Sequence, residues 1–386
     1  MTPAARIAAA IGILDAVLAG EPAEKLLTTW ARRNRYAGSG DRAAIRDHVY
    51  DAIRCQRSFA WLGGGATGRG LMLGALRAAG TDPAEIFTGQ GYGPDPLAPD
   101  EVPASELAGA PLAVQLDLPD WLLADLTRSL GDDLVPVAQA LRHRAPVFLR
   151  VNLARASVEQ AVAALAGDGI GTAPHDLSAT ALQVVSNPRR VQTSQAFRDG
   201  LVELQDVASQ AVVDALPRAA RVLDYCAGGG GKSLALAARG ADVVAHDSDA
   251  GRMGDIAVRA ARAGVSISIS TDLTENEKFD LVLCDVPCSG SGAWRRAPQA
   301  KWQLTEAGLA ALRAMQASIL DTAQHHVGPG GTLAYATCSL MACENQDRIS
   351  RFLAGSAQWS KLFERQFTPL DGGDGFYVCC LKRGED

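Results

Sequence analysis

A regular alternation of predicted strands and helices runs from residue 206 to residue 386 of this 386-residue chain and limits the folds that it can adopt. Apolar segments at 221–225, 243–246, 266–270, 281–284, 331–337 and 376–381 are separated by turns or by helical patterns, including 306–325 and 344–353. Such alternation over about 180 residues predicts a doubly wound parallel sheet. We therefore expect residues 206–386 to form one α/β domain.

The chain before residue 206 is predicted to contain two further parts. Segments 147–152, 181–185 and 201–204 read as strands and 157–165 as a helix with Ser157 as its N-cap, which predicts a small α/β module over 140–205. Residues 1–135 carry apolar side chains at helical spacing and predict a helical region with an acidic linker. Gly and Pro over 89–103 indicate the loop or linker.

The net charge of −6 argues against a nucleic-acid partner, but its distribution weakens that objection. Residues 1–80 hold 11 basic and 6 acidic side chains, whereas residues 81–137 hold one basic and 11 acidic side chains. The basic region contains Arg32, Arg33, Arg35, Arg42, Arg46, Arg54, Arg57 and Arg69. Two interpretations stay open for these arginines, a solvated helical face and a surface that contacts phosphates.

Hydropathy and cysteine usage indicate the compartment. We find no membrane-spanning segment and no secretion signal, so we expect a cytoplasmic protein with no membrane partner and with free thiols in place of disulfides. No Cys-x-x-Cys pair or close histidine partner accompanies the cysteines, so no metal site is predicted. We expect a monomer.

A glycine-rich turn follows the first strand of the C-terminal domain, in Leu223-Asp224-Tyr225-Cys226-Ala227-Gly228-Gly229-Gly230-Gly231-Lys232-Ser233. A strand, a glycine turn and a helix form a nucleotide-type site. A phosphate-binding loop would need glycine at position 226, where Cys226 stands. An adenosine-bearing cofactor such as S-adenosylmethionine needs an acid after the second strand, and Asp247 stands there. Asp272 is either a contact to the adenine or an ordinary turn residue.

Two motifs with cysteines end the fourth and fifth strands. They are Asp285-Val286-Pro287-Cys288-Ser289-Gly290-Ser291-Gly292 and Thr337-Cys338-Ser339. Because open α/β sheets bind ligands at the carboxyl ends of their strands, both cysteines and Asp285 are expected in one crevice. A single cysteine is more often a small buried hydrophobe, but the joint placement favours chemistry.

Two thiols suit a methyl transfer to C5 of cytosine. A thiolate that adds to C6 turns C5 into an enamine carbon able to attack a sulfonium methyl group. Asp285 can hydrogen-bond the N3/N4 edge of the base. Lys232, or the positive charge of the cofactor, can lower the pKa of a thiol. The target cytosine is expected in single-stranded or opened RNA.

These motifs resemble those of the Sun/Fmu-type RNA cytosine-C5 methyltransferases, which include the RsmB-like rRNA enzymes. The resemblance covers residues 146–386, with further matches at Phe148-Leu149-Arg150-Val151-Asn152, 200–206, Lys301-Trp302 and Glu344-Asn345. It implies a Rossmann-like S-adenosylmethionine-dependent methyltransferase domain, preceded by the small α/β RNA-binding module and an abbreviated NusB-like helical region.

The resemblance also implies roles for matched residues. Cys338 would be the nucleophile, Cys288 would assist breakdown of the covalent intermediate, and Asp285 and Lys232 would complete the catalytic group. The implied cofactor residues are Cys226, Ala227, Gly228, Gly229, Gly230, Gly231, Lys232, Asp247, Arg252, Asp272 and Asp285. The implied RNA contacts are Arg150, Asn152 and Lys301. The expected substrate is 16S rRNA, with tRNA as the alternative.

The chain departs from the family at its glycine turn, and two other functions are considered. The family loop reads Cys-Ala-Ala-Pro-Gly-Gly-Lys, whereas Gly228 and Gly229 replace Ala and Pro here, and loss of proline predicts weaker cofactor binding. A non-catalytic RNA-binding assembly factor with a degenerate cofactor site is therefore a second hypothesis. A DNA cytosine methyltransferase would use the Pro-Cys cysteine as nucleophile, but it gives the Thr337-Cys338-Ser339 motif no role.

Overall fold

The computed structural model describes residues 1–101, 106–274 and 276–385. The end of the predicted linker, at 102 and 103, lies outside the described residues. The chain divides into two compact units, a helical unit of residues 1–144 with 294–303, and an α/β unit of residues 145–293 with 304–386. The predicted boundary near residue 205 falls inside the second unit, between its two sheets.

Helices occur in both units and dominate the first. In chain order they are α1 (Pro3–Leu18), α2 (Ala23–Arg33), α3 (Ser39–Arg54), α4 (Gln56–Gly63), α5 (Gly68–Ala78), α6 (Leu112–Gln115), α7 (Leu123–Leu130), α8 (Leu134–Leu141), α9 (Val158–Gly167), α10 (Gln195–Arg198), α11 (Val207–Asp214), α12 (Gly231–Ala238), α13 (Ile256–Ala263), α14 (Pro298–Gln303), α15 (Glu306–Ala323) and α16 (Gln346–Ala354).

The strands form two sheets. They are β1 (Val147–Val151), β2 (Thr172–Pro174), β3 (Ala181–Val184), β4 (Val202–Leu204), β5 (Arg221–Asp224), β6 (Asp242–His246), β7 (Ser268–Ser270), β8 (Phe279–Asp285), β9 (Val327–Thr337), β10 (Trp359–Phe367) and β11 (Phe376–Arg383).

The helical unit confirms the helical N-terminal prediction. The Thr2 hydroxyl caps α1 by accepting from the Ala5 amide, and a proline stands in the first turn, where its missing N–H costs nothing. Helices α1, α3 and α5 bury one stripe each, which includes Leu14, Ile45 and Leu71. This shared core holds the unit together.

A segment far along the chain completes the helical unit. Residues 294–303 pack on α3, where the Trp302 indole N–H donates to the Ile53 carbonyl at 2.7 Å. The Arg54 guanidinium donates a hydrogen bond of 2.8 Å to the Arg295 carbonyl. No periodic pattern in the sequence indicates that this stretch belongs to the helical unit.

The small sheet has the order β2-β3-β1-β4 and its pairings are antiparallel. Helix α9 begins after Ser157, which forms the predicted cap together with Gln160. Strand β2 was not predicted, since it has only three residues and ends in proline. The sheet otherwise matches the small α/β module expected at 140–205.

The large sheet has the order β10-β11-β9-β8-β5-β6-β7 among the described residues. Strands β5 to β9 pair in parallel, as alternation with helices predicts. The expected doubly wound parallel sheet is thus confirmed for these strands, and the structure adds an antiparallel edge, because β11 runs antiparallel to β9 and β10 antiparallel to β11. Strand β10 was not predicted, because its exposed polar side chains hide the apolar alternation. The fold is nonetheless the expected Rossmann-like α/β arrangement.

Candidate active site

Two cysteines from neighbouring strands meet at the carboxyl edge of the large sheet. The chain runs from the end of β8 at Asp285 to Cys288, and from the end of β9 at Thr337 to Cys338. Because β8 and β9 pair in parallel, their ends lie side by side, and the two sulfurs are 3.4 Å apart. The structure thus brings together the two thiols that the sequence placed in one crevice.

Cys288 is a neutral thiol at neutral pH. A hydrogen bond to Cys338 is the main cause that raises the pKa of Cys288 well above its usual value, and burial and the charges of Cys338 and Glu344 act in the same direction. The S–H of Cys288 can therefore donate to the Cys338 sulfur, 3.4 Å away.

An ion pair stands beside the sulfurs. Lys232, in the first turn of α12, places its Nζ 2.6 Å from an Asp285 oxygen and 4.9 Å from the centre of the Phe376 ring. Burial alone would lower the pKa of Lys232, but the Asp285 carboxylate, helped by Asp224 and Cys338, outweighs it and raises the pKa. The site therefore holds a fixed positive charge that supports a thiolate.

The glycine turn between β5 and α12 has the backbone that its sequence demands. Gly228 and Gly230 adopt left-handed φ angles of 51° and 79°. A Cβ at Gly230 would come within 2.8 Å of Ile256, so this position also lacks room for a side chain. The turn leads directly into α12, and the first amides of this helix have no partner within the helix.

Asp247 supports this turn from the end of β6. Its buried carboxylate accepts from the Gly228 amide at 2.9 Å and pairs with Arg252 at 3.1 Å. Arg252 is half-exposed, Cys226 is partly buried, and Asp272 is exposed after β7. These groups suit an adenosyl cofactor, since Asp247 offers oxygens for ribose hydroxyls and the turn offers amides for an anionic end.

Asp224 is a site residue that sequence reasoning missed. It is buried at the end of β5, where it accepts from the Ser233 hydroxyl at 2.6 Å, and its second oxygen has no hydrogen-bond partner among the described residues. Burial raises the pKa of Asp224 to about 6. An unpartnered buried oxygen beside the glycine turn fits a site that receives a polar ligand. An acid in an apolar strand was the available signal.

The predicted RNA contacts of Arg150, Asn152 and Lys301 are not supported by their positions. All three side chains are buried. Asn152 donates to the Gly200 and Ala263 carbonyls, and Arg150 to the Gln205 side chain at 2.7 Å. Lys301 donates to the Arg54 carbonyl at 3.0 Å inside the helical unit. Because the three side chains are buried and bonded to protein groups, we propose structural roles for them in place of RNA contacts.

The predicted arginine-rich face divides into two groups. Arg46, Arg54, Arg57 and Arg69 pair with carboxylates of the helical unit. Arg32, Arg33, Arg35 and Arg42 are exposed and form no ion pair with a described residue. The second group lies close in sequence to Trp30 and the exposed Tyr36, which line one groove with Tyr92. Only this second group is available for an external anion.

The remaining cysteines are mostly buried, and the described residues show no metal cluster. All eight cysteines are free thiols, and Cys55, Cys284, Cys343, Cys379 and Cys380 are buried. The described residues contain no cluster of histidine, cysteine and carboxylate side chains suited to a metal ion. No described helix combines the length and the apolar character needed to span a membrane.

The fold and the site define an S-adenosylmethionine-dependent methyltransferase. The comparison with family models supports this class independently. A model described as 16S rRNA methyltransferase RsmB/F matches residues 212–380, and a model of the ferredoxin-like domain of RsmF/B-like methyltransferases matches residues 118–192. The methyltransferase and ferredoxin-like domains of the chain thus match the RsmB/F methyltransferase family.

Curated relatives carry the name ribosomal RNA small subunit methyltransferase B. The protein of Erwinia tasmaniensis is 34% identical over 283 residues, covering 68% of this chain and 66% of that protein. The protein of Photorhabdus laumondii is 32% identical over 284 residues, covering 69% and 66%. The chain thus spans 66% of the length of these relatives.

Solved structures show the same fold at low identity. A methyltransferase homologue from Pyrococcus horikoshii superposes with a TM-score of 0.62 at 22% identity, covering 70% of this chain and 97% of that one. NSun6 from Pyrococcus horikoshii, solved with SFG, gives a TM-score of 0.60 at 16% identity, covering 70% and 99%.

Proposed function

We propose that this chain transfers a methyl group from S-adenosylmethionine to C5 of a cytosine in 16S rRNA, with Cys338 as the nucleophile and Cys288 as its release partner. The observation that carries the proposal is the 3.4 Å contact between the two sulfurs. It lies at the strand ends that also hold the Lys232–Asp285 ion pair. The names of the curated relatives support the choice of RNA.

The first half of the reaction needs a thiolate and a polarised base. Lys232 stays protonated and supports the negative charge on Cys338, which adds to C6 of the cytosine. Asp285, partly exposed at the end of β8, can hold the N3/N4 edge of the base and offset charge formed on addition. C5 then becomes nucleophilic. S-adenosylmethionine, held by the glycine turn and Asp247, supplies the methyl group when bound.

The second half of the reaction must release the enzyme. A base removes the C5 proton, the C5–C6 double bond re-forms, and the Cys338 sulfur leaves as a thiolate. Cys288 is neutral, and its sulfur lies within hydrogen-bond distance of the departing sulfur. An S–H donor in this place stabilises the leaving thiolate, so Cys288 lowers the barrier to release.

The RNA partner fits the second group of arginines on the helical unit. Arg32, Arg33 and Arg35 offer unpaired positive charge for phosphates, and Tyr36, with 74% of its surface exposed, offers a ring for a base. A cytosine must also leave its stack before C5 and C6 can be reached. Single-stranded or opened rRNA is therefore the expected substrate form.

Tritium release tests the proposed position of methylation. 16S rRNA carrying tritium at C5 of its cytosines is incubated with the protein and S-adenosylmethionine. We expect one tritium released for each methyl group transferred, because the C5 proton leaves in the same cycle. Methyl transfer without tritium release would show a different acceptor atom. Bisulfite sequencing of RNA from a strain without this protein would identify the cytosine, and sites in tRNA alone would contradict the rRNA assignment.

A further inference from the structure

One buried carboxylate connects both cysteine loops. Glu344, at 0% exposure, accepts from the Ser289 amide at 2.9 Å and from the Ser289 hydroxyl at 2.6 Å, both in the loop of Cys288. The same carboxylate accepts from the Ser339 hydroxyl at 2.5 Å, and Ser339 directly follows Cys338. A single side chain is thus hydrogen-bonded to a neighbour in sequence of each cysteine.

The surrounding bonds fix Glu344 itself. Gln316, on α15, donates to its Oε1 at 2.9 Å and also to the Pro287 carbonyl at 3.0 Å. The Tyr335 hydroxyl, on β9, donates to the Glu344 backbone carbonyl at 2.6 Å. Held on both sides, this carboxylate cannot move without moving the loops, because hydrogen bonds to a buried charge are strong and costly to leave unmade.

The serine hydroxyls add a second connection between the loops. Ser291 lies 3.1 Å from Ser339 through their hydroxyls, and its hydroxyl accepts from the Leu340 amide at 2.8 Å. The residues that form these bonds are all buried. Their common effect is to keep the two loops at one separation.

We infer that Glu344 is the positioning residue of the thiol pair, setting the distance between the Cys288 and Cys338 sulfurs through Ser289 and Ser339. Its charge has a further effect on Cys288, whose pKa it helps to raise. Glu344 touches neither substrate nor cofactor in this account. The inference rests on the proposed function for its catalytic consequence only, because the distance between the sulfurs exists without RNA.

The rate of disulfide formation between Cys288 and Cys338 reports how closely their sulfurs are held, without RNA or cofactor. A diazene oxidant such as diamide takes two electrons and two protons from Cys288 and Cys338, forms one disulfide, and becomes the hydrazine. Two sulfurs held in contact should cross-link quickly, and peptide mass spectrometry identifies the pair among the other free thiols. In Glu344→Gln we expect the rate of this cross-link to fall about tenfold, because the amide has one acceptor oxygen and cannot keep all four hydrogen bonds that the carboxylate accepts.

The matched control is Glu203→Gln. Glu203 is also a buried carboxylate of the α/β unit, paired with Arg259 and Arg262, and it contacts neither cysteine loop. Its variant should cross-link at the wild-type rate. Ser289→Ala and Ser339→Ala each remove one donor and should slow the cross-link by a smaller factor, so they decide the question if Glu344→Gln does not fold.

Turnover provides the second readout. Glu344→Gln should lower kcat about tenfold or more and leave the affinity for S-adenosylmethionine unchanged, and Glu344→Asp should recover little because its shorter side chain cannot span both loops. Wild-type cross-linking in Glu344→Gln and in both serine variants would overturn the inference. A protein that cross-links as expected but transfers no methyl group would keep the inference and contradict the proposed function.

Discussion

The Lys232 ammonium lies 2.6 Å from the Asp285 carboxylate, so one ion pair joins the first turn of α12 to the end of β8. Lys232 is buried, whereas Asp285 keeps 30% of its side chain exposed toward the crevice. The pair therefore leaves a carboxylate oxygen accessible while it retains a positive charge near Cys338. This arrangement and the contact between the cysteines account for the proposed chemistry together.

Replacing this lysine should slow the chemical step. Lys232→Met removes the positive charge that supports the thiolate, and we expect single-turnover methyl transfer to fall by about 100-fold. Lys361→Met is the control, because Lys361 forms an exposed surface pair with Glu364. A Lys232→Met protein that transfers methyl groups at the wild-type rate would remove the lysine from the mechanism.

Asp247 should determine cofactor affinity. Asp247→Asn loses the charge that binds the Gly228 amide and Arg252, and we expect the Kd for S-adenosylmethionine to rise about tenfold or more in calorimetry. Asp249→Asn, which changes the cap of a short exposed turn, should leave the Kd unchanged. If the wild-type protein itself shows no binding, the non-catalytic assembly factor becomes the better hypothesis.

Asp224 should make stability depend on pH. The pKa of the Asp224 carboxyl is about 6 in the folded protein, above its value in the unfolded chain. Between about pH 4 and pH 6 the folded state therefore binds more protons than the unfolded state, and the free energy of unfolding falls as pH rises. In Asp224→Asn this loss disappears, and the variant should gain about 3 kcal/mol relative to the wild type between pH 4 and pH 7.5. Urea unfolding at both pH values measures the difference, and a pH-independent difference would contradict the assignment.

Lys301 tests the corrected assignment of an RNA residue. Burial lowers the pKa of Lys301 to about 8, below its value in the unfolded chain. At pH 7 the buried charge therefore lowers the free energy of unfolding, and this loss shrinks as pH rises above 8. Lys301→Met should therefore be more stable than the wild type at pH 7, with an advantage that shrinks by about 3 kcal/mol toward pH 10.5. RNA affinity should not change. A large loss of affinity in a stable variant would restore the original RNA-contact prediction.

The strand ends were predictable, whereas the side chains that support them were not. Parallel alternation placed Asp247, Asp285, Cys288 and Cys338 at one edge, because motif residues that end neighbouring strands share that edge. The antiparallel β10 escaped prediction because its outward side chains are polar. The bonds of Glu344 depend on contacts between residues 55 positions apart, such as Ser289, and no local pattern encodes them.

The match of a segment to the family also did not show which of its side chains are buried. Arg150, Asn152 and Lys301 belong to segments that match the family, and a charged or polar side chain in such a segment suggests an RNA contact. The structure buries all three against backbone carbonyls or a side-chain amide. The sequence also does not separate free arginines such as Arg32 from paired ones. A paired arginine can have its carboxylate far away in sequence, as Arg57 does with Asp120, 63 residues later.

Trapping of the covalent intermediate distinguishes the roles of the two cysteines. Wild-type protein, Cys288→Ala and Cys338→Ala are incubated with 16S rRNA and S-adenosylmethionine and separated on a denaturing gel. We expect Cys288→Ala to accumulate an RNA–protein adduct, because release lacks its S–H donor. We expect Cys338→Ala to form no adduct and to transfer no methyl group. Full turnover by Cys338→Ala, with activity abolished in Cys288→Ala, would instead make Cys288 the nucleophile and contradict the proposed mechanism.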